Sequence, residues 1–240
     1  MDLPIVRLAL SAVAFTQMER AWAGEVTKLN GRSCRLVRAP MADHLENPLS
    51  SRFTDALSYA CELHRAQARK GTQVPYVAHL LAVASIALEH GANEDEAIAA
   101  VLHDAIEDQG GVAVERKIRA KFGDAVADIV RACSDTDVVP KPPWRARKEM
   151  YIAHVSTATA SVRLVSAADK LHNARSLVAD FRVHGDALWA RFTGGREGTL
   201  WYYRALVTEF AKVDENALVQ ELHRVVSELE RLAGVASNDP

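Results

Sequence analysis

Four side chains suited to binding a divalent metal stand far apart in the sequence: His79, His103, Asp104 and Asp169. Two imidazoles and two carboxylates make a mixed nitrogen and oxygen shell with positions left for water. That donor set suits Mn²⁺ or a similar ion better than it suits structural zinc. An ion so held lowers the pKa of a coordinated water and makes it nucleophilic near neutral pH. The stretch Leu102-His103-Asp104-Ala105-Ile106-Glu107-Asp108 adds two more carboxylates within about one helical turn of the His-Asp pair. Three acids so close repel one another unless a cation or bound water compensates. Alone, a His-Asp pair reads more simply as a solvated helix end, and His79 and Asp169 are what shift that reading. Asp169 follows Leu164-Val165-Ser166-Ala167-Ala168, where an unpaired carboxylate would be costly to bury. An ion pair with Lys170 or a nearby arginine is the simple alternative.

The elements that must position these groups read as helices almost throughout. Phe53, Leu57, Ala60, Cys61 and His64 share one helical face. Gly71 and Pro75 break the chain, and a second helix over Val77 to Glu89 carries His79 near its start. Asn93 is the expected cap of a third helix whose first turn is Glu94-Asp95-Glu96. This helix delivers His103 to Asp108 near its C-terminal end, and Gly110-Gly111 closes it. Adjacent helical residues point about 100° apart, so His103 and Asp104 would approach one ion only from its flank. Two further helices flank Phe122-Gly123, and a proline-rich loop runs from Ser134 to Pro143. Beyond it lie a basic amphipathic helix over Trp144 to Val155 and an apolar helix over Ala160 to Val178 bearing Asp169. A glycine-marked irregular region precedes two last helices, Thr199 to Lys212 and Glu215 to Leu232. No sheet is expected. The fold class is all-α, a single helical bundle of about ten helices.

Composition bounds the function. The chain has 240 residues, a net charge of −2 and 25% charged residues, so no global basic field recruits nucleic acid. An anionic ligand must be met by a local cluster of Lys and Arg. Three widely spaced cysteines form neither a zinc motif nor a disulfide framework, which fits a reducing cytoplasm. No apolar run is long enough for a bilayer, and the chain itself leaves the oligomeric state open. Near the N-terminus, Leu8 to Phe15 followed by Ala21-Trp22-Ala23 has some features of a secretory signal, but Glu19 and Arg20 interrupt it. Residues 1–45 are expected to be a flexible or adventitious extension, with Met41 a candidate natural start, and residues 46–240 the functional domain.

The ordered series His64-x-x-Gln67-x-Arg69-Lys70, Pro75-Tyr76-Val77-x-His79, Leu102-His103-Asp104-x-x-Glu107-Asp108, Phe122-Gly123 and Ala168-Asp169-Lys170-Leu171-His172-Asn173-x-Arg175 resembles the hydrolase domain of the RelA/SpoT alarmone enzymes. That domain belongs to the HD phosphohydrolase superfamily. The resemblance spans about Phe53 to Leu177 and suggests a stand-alone small alarmone hydrolase. It implies that His79, His103, Asp104 and Asp169 hold Mn²⁺, and that Glu107 and Asp108 position and activate the attacking water. It also implies that Arg69 and Lys70 serve the nucleotide and phosphate site and that Asn173 contacts the nucleotide sugar. Two positions depart from the pattern: Leu80 stands where proline is common, and Gln109 where threonine often follows Glu-Asp. Gln109 borders the catalytic turn and is expected to affect water or substrate placement.

Other candidates come from the residues themselves. In Gly194-Gly195-Arg196-Glu197-Gly198, glycines let backbone amides approach phosphates and Arg196 offers a bidentate donor. Arg196 is therefore a candidate substrate contact, and an aromatic from Trp201-Tyr202-Tyr203 a candidate base-stacking group. Arg145, Arg147 and Lys148, behind the proline-rich loop, are expected to tune recognition. His64, His172 and His184 read as structural or supporting groups. The expected activity is Mn²⁺-dependent hydrolysis of the 3′-pyrophosphate of (p)ppGpp or (p)ppApp, with the purine nucleotide alarmone as ligand. The rivals are an HD-family phosphatase acting on a nucleoside monophosphate or NADPH, and a nucleotide-binding regulator without turnover.

Overall fold

A computed structural model describes residues 49–136 and 140–235. The expectations for residues 1–45 therefore fall outside the described residues. The described chain is helical, with no strand among these residues and one isolated bridge between Ala68 and Pro75. Its α-helices are α1 (Ser51–Leu63), α2 (Val77–Glu89), α3 (Glu94–Leu102), α4 (Ala105–Gln109), α5 (Gly111–Phe122), α6 (Asp124–Cys133), α7 (Trp144–Thr157), α8 (Ala160–His184), α9 (Gly195–Val213) and α10 (Ala217–Leu232). A 3₁₀ helix, Gly185–Arg191, joins α8 to the approach of α9. No described helix is long and apolar enough to cross a membrane.

Helix α3 lies at the centre. Every residue from Ala97 to Leu102 is 0% exposed, as expected of a helical stretch that is apolar all round beyond its acidic first turn. It packs against α1, α2, α6 and α8. Its start is fixed by a capping box: Asn93 Oδ1 accepts from the Glu96 amide at 3.0 Å, and Glu96 Oε2 accepts from the Asn93 amide at 2.9 Å. Arg52 of α1 ties down the same turn by ion pairs to Glu94 and Asp95. Helix α8 is the second spine. It packs against α2, α3, α6, α9 and α10. The apolar face of α10 that meets this core repeats at helical spacing through Leu218, Leu222, Val225, Val226 and Leu229.

Among the boundaries that differ from the sequence expectation, three shift by four residues or more. The third helix does not run through to Asp108. It ends at Leu102, and His103-Asp104 forms a turn before α4. Helix α8 runs past Val178 to His184, because nothing in Ala179 to His184 breaks a helix and Gly185 first takes a positive φ of 54°. Helix α9 begins at Gly195 instead of Thr199, so Arg196 belongs to a helix and not to an irregular wall.

Candidate active site

The site gathers side chains from α2, the α3–α4 turn and α8. His79 sits in the first turn of α2 and Asp169 in the middle of α8. Asp104, at φ −94° and ψ −2°, occupies the sparsely allowed region between helix and strand where active-site residues recur. The break in the helix frees His103 and Asp104 from the rigid 100° offset and lets both face the same point. His103 Nε2 lies 3.0 Å from Asp104 Oδ2 and 3.6 Å from Asp169 Oδ1. His79 Nε2 lies 3.5 Å and 3.3 Å from the same two oxygens. His79, His103 and Asp169 form a buried cluster able to hold a metal, with ligand atoms all within 4.8 Å of one another. Asp104 meets both rings from the more open side.

The other ends of the rings fix which nitrogen faces inward. His103 Nδ1 is 2.8 Å from the Ala100 carbonyl, so it carries a hydrogen. His79 Nδ1 is 2.8 Å from His172 Nδ1. Burial, then the neighbouring His79 and Arg69, pushes His172 down to about 4, so it is neutral, and one of the two Nδ1 atoms donates to the other. Both Nε2 atoms are left turned toward carboxylates. Asp104 Oδ2 is close to His103 Nε2 but off the line a ring N–H would need, and this buried nitrogen has no hydrogen-bond partner. Lone pairs and carboxylates facing one another require a positive charge between them, and the residues fit a divalent cation for that reason. Without one, a proton must serve. Burial opposes charge on His103, yet the Asp104 and Asp169 carboxylates hold its pKa well above the usual value. Burial likewise opposes ionisation of both aspartates, but His103 beside Asp104 and Lys170 beside Asp169 hold them well below the carboxylate range.

A surrounding layer orients the acids. Tyr76 donates its hydroxyl to Asp104 Oδ2 at 2.5 Å. Asp169 accepts from Lys170 Nζ at 2.5 Å and from Asn173 Nδ2 at 2.6 Å. Arg69 Nη2 donates to Asn173 Oδ1 at 2.9 Å, so Arg69, Asn173 and Asp169 form one chain. Glu107 accepts from Lys141 Nζ at 2.8 Å and from the Asp135 amide at 3.1 Å. Asp108 accepts from Gln67 Nε2 at 2.7 Å. The amide of Gln67 is oriented because its oxygen faces His64 Nδ1 at 2.7 Å and Gln109 Nε2 at 2.6 Å. Burial raises the Asp108 pKa, with the Asp104 charge adding to it and the Gln67 bond opposing it.

These groups open onto space for a ligand. A chamber of about 190 Å³ is lined by Asp104, Glu107, Asp108 and Asp169. It shares Arg69, Lys148, Lys170 and Asn173 with a cavity of about 600 Å³, a size in the range of small-molecule sites. Arg69, Lys70, Lys141, Arg147, Lys148 and Lys170 all line that cavity, against the acids Glu107, Asp135 and Asp180. Asp135, its side chain 7% exposed, collects Arg147 and Lys148 by ion pairs. The basic cluster that the overall charge does not reveal is thus local.

Arg196 is not brought to this place. It does not line the cavity, and its guanidinium donates to the Ala233 carbonyl. The reason is local: α9 starts at Gly195, and the first-turn arginine meets the C-terminal end of α10, where carbonyls lack intrahelical donors. Lys70 does line the cavity, its ammonium 5.9 Å from the Phe192 ring centroid. Sequence reasoning missed Asp135, whose partners lie 12 and 13 positions away across the proline-rich loop. It singled out no role for Tyr76 and Gln67, although both stand inside the motif series.

Residues 56–200 match the family model described as HD domain. Guanosine-3′,5′-bis(diphosphate) 3′-pyrophosphohydrolase MESH1 of Xenopus tropicalis is 36% identical over 126 residues, covering 51% of this chain and 68% of that protein. The bifunctional (p)ppGpp synthase/hydrolase SpoT of Escherichia coli is 31% identical over 129 residues, only 18% of its length. A solved structure of a metazoan SpoT orthologue that hydrolyses ppGpp superposes with a TM-score of 0.63 at 26% identity, over 79% of this chain and 99% of that one. The match to more than half of the chain, together with the buried His and Asp cluster, leads to one conclusion: the chain belongs to the HD domain family.

Proposed function

We propose that the protein is a Mn²⁺-dependent pyrophosphohydrolase that removes the 3′-pyrophosphate of a purine nucleotide, (p)ppGpp or its adenosine counterpart (p)ppApp. One observation carries the reading: two buried imidazoles turn their Nε2 atoms toward two carboxylates, beside a cavity lined by six cationic side chains. The relatives' activity on ppGpp supports it. His79, His103, Asp104 and Asp169 are the residues that would hold the ion, which supplies Lewis acidity toward water and phosphate oxygens.

The chain's own groups do the rest. The water oxygen adds to the phosphorus on O3′, and the bond from phosphorus to O3′ breaks. Pyrophosphate departs and O3′ is left as a hydroxyl. Asp108 takes the proton of the attacking water, and O3′ takes one from solvent. Its burial among like charges raises its proton affinity toward the range useful for acid–base work. Glu107, fixed by Lys141 and the Asp135 amide, orients that water. Arg69, Lys70 and the other cavity cations meet the phosphates, and Asn173, tethered between Arg69 and Asp169, meets the ribose. Fixed donors of this kind need little reorganisation as charge develops.

The test is product analysis on a panel of nucleotides with Mn²⁺. The expected products from guanosine or adenosine 3′,5′-bis(diphosphate) are pyrophosphate and the nucleoside 5′-diphosphate. Orthophosphate from a nucleoside monophosphate or NADPH, without pyrophosphate from either alarmone, would assign a phosphatase instead. Binding without any turnover would assign a regulator.

A further inference from the structure

Trp144 is the first residue of α7, launched by Pro142-Pro143, with Pro143 at φ −51° and ψ 137°. Its indole lines the large cavity but not the smaller chamber that holds Asp104, Asp108 and Asp169. Two glycines make room for it. A Cβ on Gly194 would stand 2.6 Å from Trp144 Cη2, and one on Gly198 would stand 3.1 Å from Cζ3. Gly194 sits at φ −76° and ψ −8°, which any residue adopts, so its backbone does not demand glycine. Gly198 lies inside α9, where glycine is less favourable than alanine. Space for the indole is the observed use of both. Trp201 and Tyr202 hold the ring edge-on, with centroids at 6.3 Å and 6.4 Å and interplanar angles of 68°. A large aromatic is thus seated in the wall of the basic cavity and outside the lining of the chamber that holds Asp104, Asp108 and Asp169.

We propose that Trp144, seated on Gly194 and Gly198, is the wall on which the nucleoside part of the substrate stacks. This rests on the nucleotide reading given above. The reacting pyrophosphate belongs with the acids and the chamber, which leaves the nucleoside and its 5′-phosphates for the larger cavity. Aromatic stacking serves any base, because every base has a π-face. Trp144 therefore contributes affinity for a nucleoside and none for pyrophosphate.

Equilibrium binding of guanosine 5′-diphosphate and of inorganic pyrophosphate, the two product halves, separates the two roles. Both are measured with Mn²⁺ on the whole chain, alongside thermal midpoints. Trp144→Ala is expected to weaken guanosine 5′-diphosphate about tenfold or more and to change pyrophosphate less than twofold. Trp144→Phe should recover most of the loss. Gly194→Ala, unstrained in its own backbone, should push the indole aside and give the same pattern. It carries the test if Trp144→Ala does not fold. Guanosine 5′-diphosphate binding within twofold of wild type in these variants overturns the proposal, as does equal loss of both ligands. A wild-type protein that binds the nucleotide but never releases pyrophosphate contradicts the hydrolase reading alone. No nucleotide binding by the wild type contradicts both.

Discussion

At the scale of single residues, the proposed function assigns the ion and the proton to different groups. His103 presents a bare, buried Nε2 to two carboxylates, so His103→Ala removes a ligand. Asp108 is held by Gln67 at the edge of the cluster, so Asp108→Asn keeps the shape and loses the base. Metal content and hydrolysis measured on the same preparations should show Mn²⁺ retained in Asp108→Asn and in Glu107→Gln. Hydrolysis in each should fall by roughly 10²-fold or more. Wild-type rates in both variants would return the pair to a solvated helix end. The pH profile gives a second check. Burial and nearby charge raise the Asp108 pKa, whereas the Gln67 bond to its ionised form lowers it. The acidic limb of kcat/KM is therefore expected above the ordinary aspartate value, because activity needs the carboxylate and is lost as pH falls through its pKa. Removing the opposing bond with Gln67→Ala should move that limb to higher pH. A limb that stays in place or moves down would mean that Asp108 is not the group being read. Most of these groups were legible as candidates because each motif residue carries its chemistry in its type. Gln109 was legible only as a departure from the motif, and in the fold its amide helps fix the orientation of Gln67.

At the scale of elements, the α3–α4 turn is the decisive feature, and periodicity could not reveal it. Ile98, Val101 and Leu102 continue into Ala105 and Ile106 as apolar, buried residues, so the hydrophobic pattern runs straight through the break. Only the tertiary demand that His103 and Asp104 face one point distinguishes a turn from a helix. The start of α3, by contrast, was readable from Asn93 and its three acids because the capping box is a local device. Asn93→Ala should cost about 1 kcal/mol, which lowers the melting temperature by roughly 2–4 °C for a domain of this size. Calorimetry checks this, and no change would mean that the Arg52 ion pairs alone hold the turn. The start of α9 was misplaced because Gly194-Gly195 reads as loop chemistry. Only Gly195, at φ 58°, needs glycine for its own backbone, and Gly194 instead makes room for Trp144.

At the scale of the whole molecule, the class, the order of the helices and the gathering of four distant candidate ligands follow from motif order and apolar patterning. The basic cavity does not, because a net charge of −2 conceals it. Its cations come from the segment after α1, the proline-rich loop, α7 and α8, and only the fold brings them together. The carboxylates and histidines lie between residues 79 and 169, well inside the matched segment 56–200. Removing residues 1–40 is therefore expected to leave pyrophosphate release and the melting temperature nearly unchanged, and a collapse of either would assign that segment to the functional unit. The central claim is that a buried His and Asp cluster makes this helical domain a metal-dependent pyrophosphohydrolase. The most direct measurement is pyrophosphate release from guanosine 3′,5′-bis(diphosphate) by metal-stripped protein titrated with Mn²⁺. The stripped protein should release none, full activity should return as one ion per chain is bound, and His103→Ala should show neither ion nor activity. Undiminished release by the stripped protein, or by His103→Ala without an ion, would contradict that claim.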